Sequence, residues 1–170
     1  YFVTPEGAEG AYHHWVEQRL GWFHAIGVRK ENLRLREHAK DELAHYARGC
    51  TDVEYQFPFG WGELEGIANR SDYDLSQHMK TSGKDLSYFD DERKQKFIPH
   101  VVESSVGVDR TLLTLLCDAY HEEEAPTAEA GETEPRIVLK FKPAMAPVTA
   151  AFFPLSKKLA EPVRRLEHEI

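Results

Sequence analysis

Apolar positions along this chain repeat in two rhythms, and one stretch, residues 97–120, carries both. Residues 97–102 are short, apolar and rich in β-branched side chains, the composition of a buried strand. From Val108 onward, Val108, Leu112, Leu115, Leu116 and Ala119 fall at helical spacing. Between these runs lie Glu103, Ser104, Ser105, Val106 and Gly107, which supply a carboxylate, two hydroxyls and a glycine. The pattern predicts a strand, a polar turn and a helix, with Arg110 in the first helical turn.

The same rhythms predict the other elements. Tyr12, Trp15, Val16, Leu20, Phe23 and Ile26 mark an amphipathic helix over 11–26, stopped by Gly27. Leu33 and Leu35 alternate with charges in a short strand, and residues 40–47 suggest a short helix. Val53, Tyr55 and Phe57 share one face of a strand over 51–57. A second strand follows over 62–69, after an aromatic, glycine-rich turn, so an antiparallel pair is expected. On that second strand, Glu63 and Glu65 are expected on one face, with Leu64 opposite. Residues 71–77 begin a helix or loop, 81–84 form a loop, and 90–96 read as a hairpin tip. Residues 121–124 read as an acidic cluster ending the central helix, and 125–135, rich in Pro, Ala and Glu, as a linker. Strands are expected at 137–141 and 148–155, then a helix over 159–170 interrupted early by Pro162. There is no internal repeat.

The 170 residues suit one large domain, or one domain with part of another. No apolar run approaches the roughly 20 residues that span a bilayer. The first ten residues lack the basic region and apolar core of a signal peptide. The chain starts without Met in what reads as the end of a strand, so it is expected to be a piece of a longer protein. Cys50 and Cys117 are isolated, which fits reduced cytosolic thiols and a cytoplasmic location. The net charge of −8 is uneven. Residues 136–170 carry seven Lys/Arg against three Asp/Glu, and residues 1–135 carry fourteen against twenty-six. Only the last part is therefore a candidate nucleic-acid surface. The nine histidines show no zinc-type spacing and read as core or surface residues.

Arg110 works against the helix dipole, which favours negative charge at the N-terminus. The exposed N–H groups and the guanidinium together suit an anion, above all a phosphate. The competing reading pairs Arg110 with Asp109 or Glu124. Glu63 offers a carboxylate to a hard cation, or else belongs to a solvated strand face. Ser105 is either a ligand-facing hydroxyl or a helix cap, and both roles are compatible.

The run Glu103-Ser104-Ser105-Val106-Gly107-Val108-Asp109-Arg110 resembles the third signature motif of class II aminoacyl-tRNA synthetases. It is similar in particular to the E-P-S-x-G-x-D-R pattern of the glycyl-tRNA synthetase family, with Ser104 in place of proline. The tracts 57–70, 71–75 and 32–46 resemble the same family in the same order. The resemblance implies an α+β fold. Residues 1–124 would be the C-terminal half of a class II catalytic core, an antiparallel sheet with flanking helices. The linker 125–135 would follow, and 136–170 would begin an α/β anticodon-binding domain. It implies ATP binding by Glu63, Leu64, Gly107, Val108, Asp109 and Arg110, with Arg110 on the γ-phosphate and Mg²⁺ at Glu63. It places Glu103, Ser104, Ser105, Val106 and Gly107 around glycine. The implied activity is formation of glycyl-adenylate and transfer to tRNA(Gly), in a cytoplasmic homodimer with no membrane partner. The family's first two motifs, which supply the dimer interface and the α-phosphate arginine, lie outside these residues, so the chain alone is expected to be inactive. The alternative is a synthetase-like module that binds protein or RNA without catalysis.

Overall fold

The computed structural model describes residues 1–127 and 131–169. In chain order the elements are β1 (Phe2–Val3), α1 (Ala8–Ile26), β2 (Leu33–Glu37), β3 (Gly49–Phe57) and β4 (Gly60–Ser71). Then come α2 (Tyr73–Ser82), β5 (Tyr88–Asp90), β6 (Gln95–Phe97), β7 (His100–Val106), α3 (Val108–Ala119), β8 (Tyr120–Pro126), β9 (Thr133–Leu139) and α4 (Ala160–Glu169). The principal sheet is antiparallel with strand order β1-β7-β4-β3-β2. An antiparallel sheet with flanking helices is the α+β architecture expected from the sequence.

Helix α1 lies on one face of the sheet. Tyr12, Val16 and Phe23 pack against Val53, Tyr55, Phe57, Leu64, Ile67 and Val102 in the core. Gly27 ends the helix at φ 111°, a left-handed position that glycine adopts freely, and its N–H returns to the last carbonyls of the helix. The β3–β4 hairpin turns on Pro58 and Phe59, with Phe57 paired to Gly60 at φ 116°. Tyr12 Oη lies 2.5 Å from Thr51 Oγ1, which ties α1 to β3. The Tyr55 hydroxyl donates to Asp118 at 3.1 Å and ties α3 to the same strand.

Several expectations change. Residues 40–47 form turns, not a helix, with three-residue turn bonds such as Glu42 N–H to the Ala39 carbonyl and Ala47 N–H to the Ala44 carbonyl. The strand expected at 97–102 is split into β6 and β7, and β7 continues to Val106. The supposed turn at 103–107 is therefore mostly strand, with only Gly107 between β7 and α3. Neither β3 nor β7 is an edge strand, because β2 and β1 flank them, although β1 covers only the start of β7.

The acidic run after α3 is β8, paired residue for residue with β9 from Tyr120–Leu139 to Pro126–Thr133. The described part of the stretch read as a linker thus belongs largely to a hairpin, and residues 128–130 lie outside the described residues. Glu123 holds it together by accepting from Arg136 at 2.5 Å and lying 2.7 Å from Lys140 Nζ. Opposite charges facing each other across a ladder stabilise it. The chain divides into two compact units between Lys140 and Phe141, so the strand expected at 137–141 pairs within the first unit. In the second unit the described residues contain no strand at 148–155. The expected terminal helix is present as α4, with Pro162 in its first turn, where a missing N–H is tolerated. Ile170 lies outside the described residues.

Candidate active site

The face of the sheet away from α1 carries the polar groups. A β-bulge between Val53 and Glu54 of β3, against Glu65 and Glu63 of β4, decides which ones. The extra residue, Leu64, breaks the alternation, as a bulge does. Leu64 and Glu65 are both buried, and the Glu65 carboxylate accepts from Arg19 of α1 at 2.6 Å. Glu63 turns to the open face beside Gly66 and Ala68. The expectation that Glu63 and Glu65 share a face is therefore wrong, because a bulged strand does not keep a period of two.

Two adjoining cavities occupy this face. The first, of about 410 Å³, is lined by Glu63, Leu64, Ser105, Gly107, Val108, Asp109 and Arg110. It sits at the N-terminus of α3, whose first residues are Val108, Asp109 and Arg110. Arg110 Nη1 donates to the Glu63 carbonyl at 2.6 Å, which bridges the helix start to the bulge. Among the described residues no carboxylate pairs with Arg110, so neither Asp109 nor Glu124 is its partner. Ser105 does not cap α3; the N-cap is Gly107, without a side-chain cap bond. Gly107 lies at φ −86°, which any residue adopts.

The second cavity, of about 270 Å³, shares Glu63 and Ser105 with the first and adds Glu103, Gly66, Ala68 and Arg70. A Cβ on Gly66 would meet Glu63 Oε1 at 3.6 Å and Asp52 Oδ1 at 3.7 Å, ordinary contact distances that place Gly66 on the cavity floor. Arg70 donates to Glu103 at 2.6 Å and to Asp74 at 2.6 Å, and lies 4.1 Å above the Tyr46 ring. Ser71, at φ 53°, turns the chain from β4 into α2 and brings Asp74 to Arg70. Hydrogen bonds from Arg70 hold Asp74 below the usual carboxylate range, and the same partnership raises Arg70. Arg70 is thus committed to two carboxylates, whereas Arg110 is the cation that lines the first cavity.

Strand alternation separates the remaining candidates. Glu103 and Ser105 face the cleft. The Ser104 hydroxyl donates instead to the buried Glu65 carboxylate on the α1 side, and Val106 lines neither cavity. Sequence reading also missed Asp52, His38 and Cys50, which share the second cavity. Burial, reinforced by the Asp52, Glu63 and Glu103 carboxylates, pushes the Cys50 thiol up to about 11.

Fold and site define an α+β protein whose antiparallel sheet holds a charged, two-chambered cleft at the head of a helix. Its relatives are glycine–tRNA ligases. That of Thermobifida fusca is 54% identical over 160 residues, covering 92% of this chain and 34% of the relative. That of Caldanaerobacter subterraneus is 51% identical over 161 residues, covering 95% and 34%. The Lachnospira eligens protein is 49% identical over 170 residues, covering 100% and 36%. No protein-family model matches the chain. The family resemblance read from the motifs is thus the relationship that whole-chain similarity returns. The chain spans about a third of the length of the curated relatives it matches.

Proposed function

We propose that this chain is the part of a glycine–tRNA ligase, a class II aminoacyl-tRNA synthetase, that holds ATP and glycine during amino-acid activation. The observation that supports the reading best is the convergence of Glu63, Glu103, Ser105 and Arg110 on one open sheet face, in two cavities that share Glu63 and Ser105. Activation joins the glycine carboxylate to the α-phosphate of ATP as the bond to the β-phosphate breaks and pyrophosphate leaves, so two sites must adjoin. The chamber at the start of α3 suits the triphosphate. It combines helix N–H groups with the Arg110 guanidinium, and charge neutralisation by preorganised groups is the main source of rate in such a transfer. An exposed carboxylate beside a phosphate site is the donor a hard cation needs, so Glu63 is the residue that would hold Mg²⁺.

The second chamber suits glycine. Glu103 and Ser105 offer acceptors for an ammonium, and Arg70 fixes the Glu103 carboxylate. Ser104 and Val106 contribute through the strand that carries them and not through their side chains. The substrates on this reading are glycine, ATP and tRNA(Gly), and the full-length ligase is a cytoplasmic homodimer. Among the described residues no helix is long and apolar enough to cross a membrane. Residues 136–170 are assigned to the start of the anticodon-binding domain, although Arg136 to Leu139 pair within the first unit. Their basic balance supports that assignment. The α-phosphate cation has no candidate among the arginines lining the two cavities, since Arg70 is already paired, so the chain alone should hold substrates and give little acceleration.

The test is Glu103→Gln in a full-length ligase that carries this segment. Removing the charge at constant size should raise KM for glycine at least about tenfold and leave KM for ATP nearly unchanged, the loss expected for one charged hydrogen bond. An equal rise in both constants would move Glu103 from recognising glycine to shaping the cleft.

A further inference from the structure

The second cavity has an inner wall that the proposed reaction does not use. His38 follows directly after β2, and its N–H bonds the Cys50 carbonyl at 2.9 Å. Cys50 and Asp52 are alternate residues of β3 and so point to the same face. His38 Nε2 lies 2.7 Å from Asp52 Oδ2, and a ligand atom of each of the three residues falls within 4.8 Å of the other two. All three side chains are partly or fully buried: Asp52 is buried, and His38 and Cys50 are half-buried. Register, not sequence spacing, assembles this group, so no zinc-type motif announces it.

We propose that His38, Cys50 and Asp52 form a binding site for a soft or borderline divalent cation such as Zn²⁺. The donor set is one imidazole, one thiolate and one carboxylate, a mixture that suits zinc and not Mg²⁺. Three protein ligands leave a fourth position open toward the cavity, as in zinc sites that exchange an outer ligand. Ligation requires His38 to carry its proton on Nδ1 and Cys50 to release its thiol proton to solvent. The surroundings favour a cation. Glu42, Glu63 and Glu103 line the same cavity, and the cations beside them are Arg70, held by Asp74 and Glu103, and Arg36. Arg36 Nη1 lies 3.3 Å from His38 Nε2 and 3.7 Å from Asp52 Oδ2 and is the group that a metal must displace, though Glu42 accepts from its Nη2 at 2.7 Å. The three ligands line the chamber assigned to glycine and not the first cavity, and metal binding to them is read without ligase activity.

Cobalt titration of the 170-residue chain tests it. The expected result is a single tight site with a near-ultraviolet sulfur-to-cobalt charge-transfer band, displaced by Zn²⁺ and unaffected by excess Mg²⁺. Cys50→Ser should abolish the band and Cys117→Ser should leave it. His38→Gln and Asp52→Asn should each weaken binding at least about tenfold, since even outer partners of metal ligands are worth 10- to 100-fold. Arg36→Gln should tighten binding, a gain that misfolding does not produce. Absence of the band in the unaltered chain, its persistence in Cys50→Ser, or weaker binding in Arg36→Gln would overturn the proposal.

Discussion

Arg110→Ala in a full-length ligase carrying this segment should lower kcat/KM for ATP in glycine-dependent pyrophosphate exchange by roughly 10²- to 10³-fold. That is the range for losing one preorganised charge contact at a transition state. Arg110 is placed for this by two features. It occupies the first turn of α3, where helix N–H groups already point outward, and its guanidinium is steadied by the Glu63 carbonyl at 2.6 Å. Its remaining donors face the cavity without a competing carboxylate among the described residues. The same geometry predicts little change in stability, since Arg110 is exposed and makes one protein hydrogen bond that water can replace. Arg110→Lys should recover only part of the rate, because a point charge does not reproduce the guanidinium fork. Unchanged exchange would remove the phosphate role, and a large loss of stability would make Arg110 a structural link between α3 and β4.

The second large effect lies on the opposite face of the sheet. Arg19→Ala should destabilise the chain by about 3–5 kcal/mol in urea unfolding, because it strands the buried Glu65 carboxylate. Glu65 is 1% exposed, and its Oε1 takes both Arg19 and the Ser104 hydroxyl, while Oε2 has no partner. With Arg19 gone, one neutral donor remains for a charge deep in the sheet. Replacing both partners, as Arg19→Met with Glu65→Met, should restore most of the stability, since an apolar pair leaves no unpaired charge. A small loss from Arg19→Ala would show that the buried Glu65 carboxyl does not depend on Arg19. The pair lies at the bulge, where Glu65 is buried toward α1 and Glu63 lines the cleft.

That bulge marks the limit of what the sequence discloses. Helix α1 was legible because Tyr12, Val16 and Phe23 recur at helical spacing before a glycine. Arg110 was legible as a cation in the first turn of a helix and Glu63 as a carboxylate on a strand, and the resemblance implied a role for each. The partition of Glu63 from Glu65 was not legible, since a single inserted residue in a ladder leaves no trace in hydrophobic periodicity. The β8–β9 hairpin was missed for a different reason. Its acidic, proline-bearing composition imitates a solvated linker, and the pairing of Glu123 with Arg136 and Lys140 exists only across strands. His38, Cys50 and Asp52 come together only through the β2–β3 register.

A decisive measurement is hydrogen exchange on a full-length ligase carrying this segment, with and without glycine together with a non-hydrolysable ATP analogue. Strong protection is expected in β4, in β7 from Glu103 to Val106 and in the first turn of α3, with loss of that protection at matched analogue concentration in the Glu103→Gln, Arg110→Ala double variant. Tight analogue binding with no protection in those three places, or with protection unchanged in the double variant, would contradict it.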